Sequence, residues 1–245
     1  YMAELTHPNV VRYYTTWLEF TNDLRKYSIS EDIIEELSDS PPSSPKDKLI
    51  IFDKFLIDEK KTYPILFLQM ELCDMSLKKY IIERNYKCQF NLTKTKKLFK
   101  QIVEGVQYIN KNNIIHRDIT TYNIFLKDDV PKIGDFGLAI HSKVADNNPI
   151  KSSNYSTIYS PPEYIKNNIY TLKSEIYSLG IIYFELLNIF ITEMERVNEI
   201  QNAKKGKISD EFKSKFPEEC KLIQKMIDEN ILVRPPIEKI LAELI

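Results

Sequence analysis

Asp118, Asn123 and Asp135 are the residues of this chain whose types and order could carry chemistry together. The first two lie in Ile115-His116-Arg117-Asp118-Ile119-Thr120-Thr121-Tyr122-Asn123, and the third in Gly134-Asp135-Phe136-Gly137. Two carboxylates and an amide in this arrangement can support phosphoryl transfer. One acid orients a hydroxyl nucleophile and takes its proton, while the amide and the second acid hold magnesium ions on nucleotide phosphates. The pattern H-R-D-x-x-x-x-N followed by D-F-G is the general template for that reaction, so these roles come with the template and not from spacing alone. Pro162-Glu163 follows further on, and chance does not readily place all three segments in order.

Such groups need elements to hold them. Residues 10–20 read as an extended run rich in β-branched and aromatic side chains, and residues 64–72 as a second strand. Between them, Ser38-Asp39-Ser40-Pro41-Pro42-Ser43-Ser44-Pro45 cannot form regular structure, so residues 21–48 are expected to be a disordered insertion. From residue 73 the pattern is mainly helical. Leu98, Phe99, Ile102, Val106 and Ile109 recur at helical spacing within 92–112, and helices are also expected over 172–190, 193–204, 217–227 and 237–244. The phosphoryl-transfer segments fall in the long loop region between the first two of these helices, where functional groups commonly sit.

A chain of 245 residues, 43% hydrophobic and 28% charged, is long enough to bury a core. A net charge of −1 gives no field for nucleic acid or an anionic membrane, so neither is expected as a direct partner. The three cysteines, Cys73, Cys88 and Cys220, leave one over in any pairing, which suggests reduced thiols and a cytoplasmic location. The apolar stretch 176–192 is interrupted by Ser178, Glu185 and Asn188 and reads as a buried helix, not a membrane span. No signal peptide is visible. None of the five glycines precedes Gly105, so a glycine-rich phosphate-covering loop is absent from this chain, as is a V-A-I-K-like strand.

These segments together resemble a eukaryotic protein kinase. Within that superfamily, His7-Pro8-Asn9-Val10-Val11-Arg12-Tyr13 through Trp17-Leu18-Glu19 resembles the kinases that phosphorylate the alpha subunit of translation initiation factor 2. So do Leu68-Gln69-Met70-Glu71-Leu72-Cys73 and Thr192-Glu193-Met194-Glu195-Arg196-Val197. The resemblance implies an α+β bilobal fold that begins partway through its small lobe, at the end of helix C and strands 4 and 5. Residues 1–72 would form this partial lobe and 73–245 a complete, mainly helical large lobe. The opening at Tyr1, within a motif, suggests an N-terminally truncated piece of something longer.

By the same resemblance, Asp118 is the catalytic base, Asn123 and Asp135 bind Mg2+, and Met70, Glu71, Cys73 and Phe125 border the adenine of ATP. Met2, Tyr13, His116 and Phe136 stack as a regulatory column, and Gly137 allows the sharp turn after the metal ligand. Glu163 pairs with Arg234, and Glu175 braces the catalytic loop where the family carries aspartate. Phosphorylation at Ser152, Ser153 or Ser156 would activate the enzyme through Arg117. Thr192, Glu193, Met194, Glu195 and Arg196 would dock the initiation factor alpha subunit, and family members dimerise through the small lobe. Three departures set against this are Thr120 where the catalytic loop usually carries lysine, Glu175 itself, and Tyr155-Ser156 in place of Gly-Thr. They keep open an alternative, a pseudokinase or regulatory binding module without phosphoryl transfer. Retention of Asp118, Asn123 and Asp135 favours the enzyme.

Overall fold

The computed structural model describes residues 5–21, 63–141 and 158–244. The expected insertion, Met2, Tyr155 and the three serines Ser152, Ser153 and Ser156 lie outside the described residues. The chain divides into two compact units, residues 13–70 and residues 1–12 with 71–245. The first contains two strands, β1 (Tyr13–Thr21) and β2 (Tyr63–Met70), paired antiparallel so that Trp17 faces Phe67. Their rings stack at 5.0 Å.

The larger unit is built around two helices of different character. Helix α2 (Leu92–Lys111) begins at Asn91, whose side chain accepts the Lys94 N–H at 2.8 Å, and follows a shorter α1 (Leu77–Tyr86). Its stripe of Leu98, Phe99, Ile102, Val103, Val106 and Ile109 is buried, the one-sided pattern of a helix with a wet outer face. Helix α4 (Leu172–Leu187) is buried from Ser174 to its end, as its nearly continuous apolar sequence requires. Phe99 and Tyr183 stack at 3.9 Å and join the two. Gly180 lets Met226 and Ile227 come close, since a Cβ there would lie 2.6 Å from Ile227 Cγ2. Helices α3 (Pro162–Asn167), α5 (Glu193–Lys204), α6 (Asp210–Lys215), α7 (Pro217–Met226) and α8 (Ile237–Glu243) complete the helical set of the described residues.

The region expected to be loop contains short strands that fix its path. β3 (Met75–Ser76), β5 (Ile124–Lys127) and β6 (Val130–Ile133) form one antiparallel sheet, and β4 (Ile114–Ile115) pairs with β7 (Ile140–His141). Residues 10–12, expected to belong to the first strand, instead attach here together with Asn9. Val10 bridges Ile133, Val11 N donates to Ile133 O at 2.8 Å, and the Asn9 amide donates to Pro131 O at 3.0 Å. Val10 is 2% exposed, so its burial against β6 decides which unit holds it. Among the described residues no helix is long and apolar enough to cross a membrane.

Candidate active site

The segment 116–123 is held between β4 and β5 by apolar anchors. Ile114, Ile115, Ile119 and Ile124 are all buried, which leaves the polar residues between them on a fixed path. His116 ties that path to the D-F-G segment. Its Nε2 meets Gly134 O at 2.9 Å, and its Nδ1 accepts the Asp118 N–H at 3.3 Å. The proton therefore sits on Nε2, and burial holds the ring neutral by lowering its pKa to about 4. Phe136 packs against the same ring at 4.7 Å. Tyr13 lies in the β1–β2 unit.

Asn123 completes the junction. Its Nδ2 donates to Asp118 Oδ2 at 2.6 Å and to Asp118 O at 3.1 Å, and its carbonyl accepts Gly134 N at 2.8 Å. Burial raises the Asp118 pKa; the Asn123 bond opposes that rise and the nearby Asp135 charge adds to it. Asp135 is exposed and takes a left-handed φ of 57°, as Arg117 does at 68°. The turn after the proposed metal ligand is thus made at Asp135 and not at Gly137, which has no left-handed φ. What Gly137 supplies is closeness. Its N–H donates to Asp135 Oδ1 at 3.2 Å, and a Cβ there would stand 3.2 Å from the same oxygen.

Behind the loop, the fully buried Glu175 carboxylate accepts the N–H groups of His116 at 2.6 Å and Arg117 at 3.3 Å, and the Asn110 amide at 2.6 Å. Burial outweighs these bonds and raises its pKa to about 7. Arg117 Nε donates to Leu138 O at 2.7 Å. Thr120 is 5% exposed and turns inward, its hydroxyl accepting Asn123 N at 3.3 Å. Glu163 and Arg234 form a buried two-point ion pair, with both N···O distances 2.8 Å. Those bonds and the Ser174 hydroxyl overcome the burial of Glu163 and lower its pKa.

Met70 ends β2 in the smaller unit, whereas Glu71, Cys73 and Phe125 belong to the larger. The Glu71 carboxylate is engaged by Lys127 at 3.0 Å and Lys132 at 3.1 Å. Phe125 lies beside Gly134, where a Cβ would meet its ring at 3.0 Å.

The expected docking residues separate into inward and outward groups. Thr192 caps α5 by accepting Glu195 N at 3.1 Å, and Glu195 accepts Ile191 N at 2.8 Å. Arg196 is 6% exposed and faces inward to Glu185, Tyr159 and Glu193. Met194, 76% exposed, faces out, and so does Ile191 at 88%. Ile191 is a surface residue that the motif did not single out; an isoleucine directly before a helix cap was the available signal.

The chain matches the protein kinase domain family over residues 1–244. It is 36% identical over 200 residues to eukaryotic translation initiation factor 2-alpha kinase 1 of Rattus norvegicus, covering 72% of this chain and 32% of that protein. Against eukaryotic translation initiation factor 2-alpha kinase 3 of the same organism, identity is 31% over 241 residues, 90% of this chain and 21% of the relative. Identity to the interferon-induced, double-stranded RNA-activated protein kinase of Rattus norvegicus is 32% over 246 residues, 99% of this chain and 42% of the relative. The chain thus spans between about a fifth and two fifths of these relatives' lengths. With the match running through both units and every segment of the site, the chain belongs to the protein kinase domain family.

Proposed function

We propose that this chain supplies the catalytic residues of a serine/threonine protein kinase acting on the alpha subunit of translation initiation factor 2. In that reading, residues 1–72, with β1 and β2, belong to a partial small lobe and residues 73–245 form the large lobe. The observation that carries it is the Asn123–Asp118 bond of 2.6 Å. It fixes the carboxylate that would accept the acceptor hydroxyl's proton and commits the Asn123 nitrogen. The amide's other polar atom is its oxygen, the ligand a hard cation prefers. Asp135 adds an exposed carboxylate. Two side-chain oxygens of this kind suit magnesium, which is commonly bound by one or two side chains together with substrate phosphates.

Magnesium would neutralise the ATP phosphates and orient the one transferred. This chain's own residues do the rest. Asp118 positions the hydroxyl and takes its proton, neutral His116 holds the Asp118 backbone in register with Gly134, and Glu175 fixes the two preceding N–H groups. The inward-facing Thr120 gives no cation to the transferred phosphoryl group. The absence of one such stabiliser costs about 10²–10³-fold in rate, which slows transfer without abolishing it.

The substrate is proposed from the relatives' names and from the exposed face of Ile191 and Met194, an apolar patch beside a helix start. The test is Asp118→Asn in the full-length protein, assayed with ATP, magnesium and the isolated alpha subunit. Phosphate incorporation should fall by about 10²–10⁴-fold, the range for losing a general base. Unchanged incorporation overturns the assignment of Asp118. Ile191→Ser with Met194→Ser should lower transfer to the alpha subunit while sparing a short serine peptide.

A further inference from the structure

Lys78, Thr121, Tyr159, Glu185, Glu193 and Arg196 form one connected polar circuit that the phosphoryl-transfer residues do not include. It starts in the catalytic loop, where the Thr121 hydroxyl meets Tyr159 OH at 2.6 Å. Tyr159 OH donates to Glu185 Oε2 at 2.6 Å and accepts from Arg196 Nη2 at 2.7 Å. With its one proton given to Glu185, the phenol receives the Thr121 hydroxyl, so its donor and both acceptor positions are taken. Arg196 also bonds Glu185 and Glu193. Glu193 Oε2 reaches Lys78 Nζ at 2.8 Å, and Lys78 N returns to Thr121 O at 2.8 Å, which closes the ring.

Two features separate this ring from ordinary packing. Its formal charges, two carboxylates and two cations, cancel. Five of its six residues are buried; only Glu193 is largely in water, with its side chain 59% exposed. That one wet link lies next to Met194, on the helix turn whose apolar residues face out. A protein seated there would strip water from the two Glu193 ion pairs, and lower local dielectric strengthens such pairs. The tightened pairs would pull on Lys78 and Arg196, and through them on Thr121, which stands between Asp118 and Asn123 in the loop.

We propose that this circuit is a positioning device by which the first turn of α5 holds the catalytic loop, with Glu193 and Thr121 as its positioning residues, so that a folded protein docked on Ile191 and Met194 is registered at Asp118. The proposal rests on the kinase reading above and adds how the docking face and the reacting group communicate.

The experiment is a double-mutant cycle in the full-length protein, with Glu193→Gln, Thr121→Val and the double variant. Each is assayed for kcat and KM on the initiation factor alpha subunit and on a short serine peptide. Each single change should lower kcat at least fivefold on the alpha subunit and less on the peptide, with KM within twofold. The double variant should lose no more than the worse single variant, because both break the same ring. Thr121→Ser, which restores the hydroxyl, should recover most of the loss and excludes misfolding as its cause. Multiplicative losses in the double variant overturn the proposal, as does a raised KM with unchanged kcat, which would make Glu193 a docking contact alone. If the wild-type protein phosphorylates the peptide but not the alpha subunit, the substrate reading fails. The cycle on the peptide then still decides the ring.

Discussion

In the β1–β2 unit Trp17 and Phe67 stack, yet Phe20 and Leu66 remain 65% and 61% exposed. In the larger unit Phe99 and Tyr183 also stack, and neither ring reaches water. Among the described residues, all the buried hydrophobic side chains belong to the larger unit. The difference is one of layers. Among the described residues of the smaller unit the two strands have no second layer over either face, and cross-strand pairs such as Trp17 and Phe67 join them. Helices α2 and α4 cover each other, and the first turn of α4 helps hold the buried charges Glu163 and Arg234 in fixed geometry, through the Ser174 hydroxyl and the Lys173 carbonyl. Chemistry that depends on charges held in place belongs on the second kind of scaffold.

Trp17 is the single tryptophan of this 245-residue chain, so in that chain its fluorescence follows the ribbon while far-UV circular dichroism follows the helices. The largest effect expected is from Arg234→Met, which leaves the buried Glu163 unpaired. Loss of one partner of a buried pair costs about 3–5 kcal/mol. In denaturant melts the dichroism transition should shift by that amount while the Trp17 transition stays put. A matching shift in both would show that the two units melt as one.

A second test uses pH inside the larger unit. Glu175 titrates at about 7 when folded against an ordinary 4.5, so between these values the folded state binds more protons than the unfolded. Its contribution therefore falls as pH rises through that window, by about 3 kcal/mol in total. His116 behaves oppositely. Its folded pKa of about 4 against 6.5 makes its contribution grow as pH rises from about 4 to 6.5. The two slopes offset each other in the wild type. Glu175→Gln removes the first, so the variant should gain about 3 kcal/mol on the wild type between pH 4.5 and 7, measured by dichroism melts. A pH-independent difference would mean that Glu175 titrates as it does in the unfolded chain. The smallest effect is expected from Phe67→Ala, which removes the ring under Trp17. It should cost about 0.5–1.5 kcal/mol in the fluorescence transition and leave dichroism unmoved.

The candidate site was legible as a template. The H-R-D-x-x-x-x-N and D-F-G segments, recognised together, singled out Asp118, Asn123 and Asp135 before any fold, and the structure brings Asp118 and Asn123 into contact. Helix α2 was legible because its stripe repeats at helical spacing. Helix α6 and the short strands β3 to β7 were not, since a six-residue helix or a strand of two to four residues carries too little periodicity. The Thr121–Tyr159–Glu185–Arg196 contacts were also invisible: they join residues 38, 26 and 37 positions apart, and no local pattern marks such pairs. Residues 10–12 went to the wrong element because β propensity cannot say which sheet a strand segment will join.

Asp135 and Arg117 hold left-handed backbone angles that side chains make costly, about 1–2 kcal/mol for each residue. An engineer seeking a hardier protein would therefore find glycine attractive at both sites, as would a selection that scored heat tolerance alone. At position 135 that relief would delete the one exposed carboxylate of the D-F-G segment. With Asp135 holding magnesium, as proposed, thermostability and turnover would compete at this single codon, and a library screened for the first should lose the second there earlier than in the helical core.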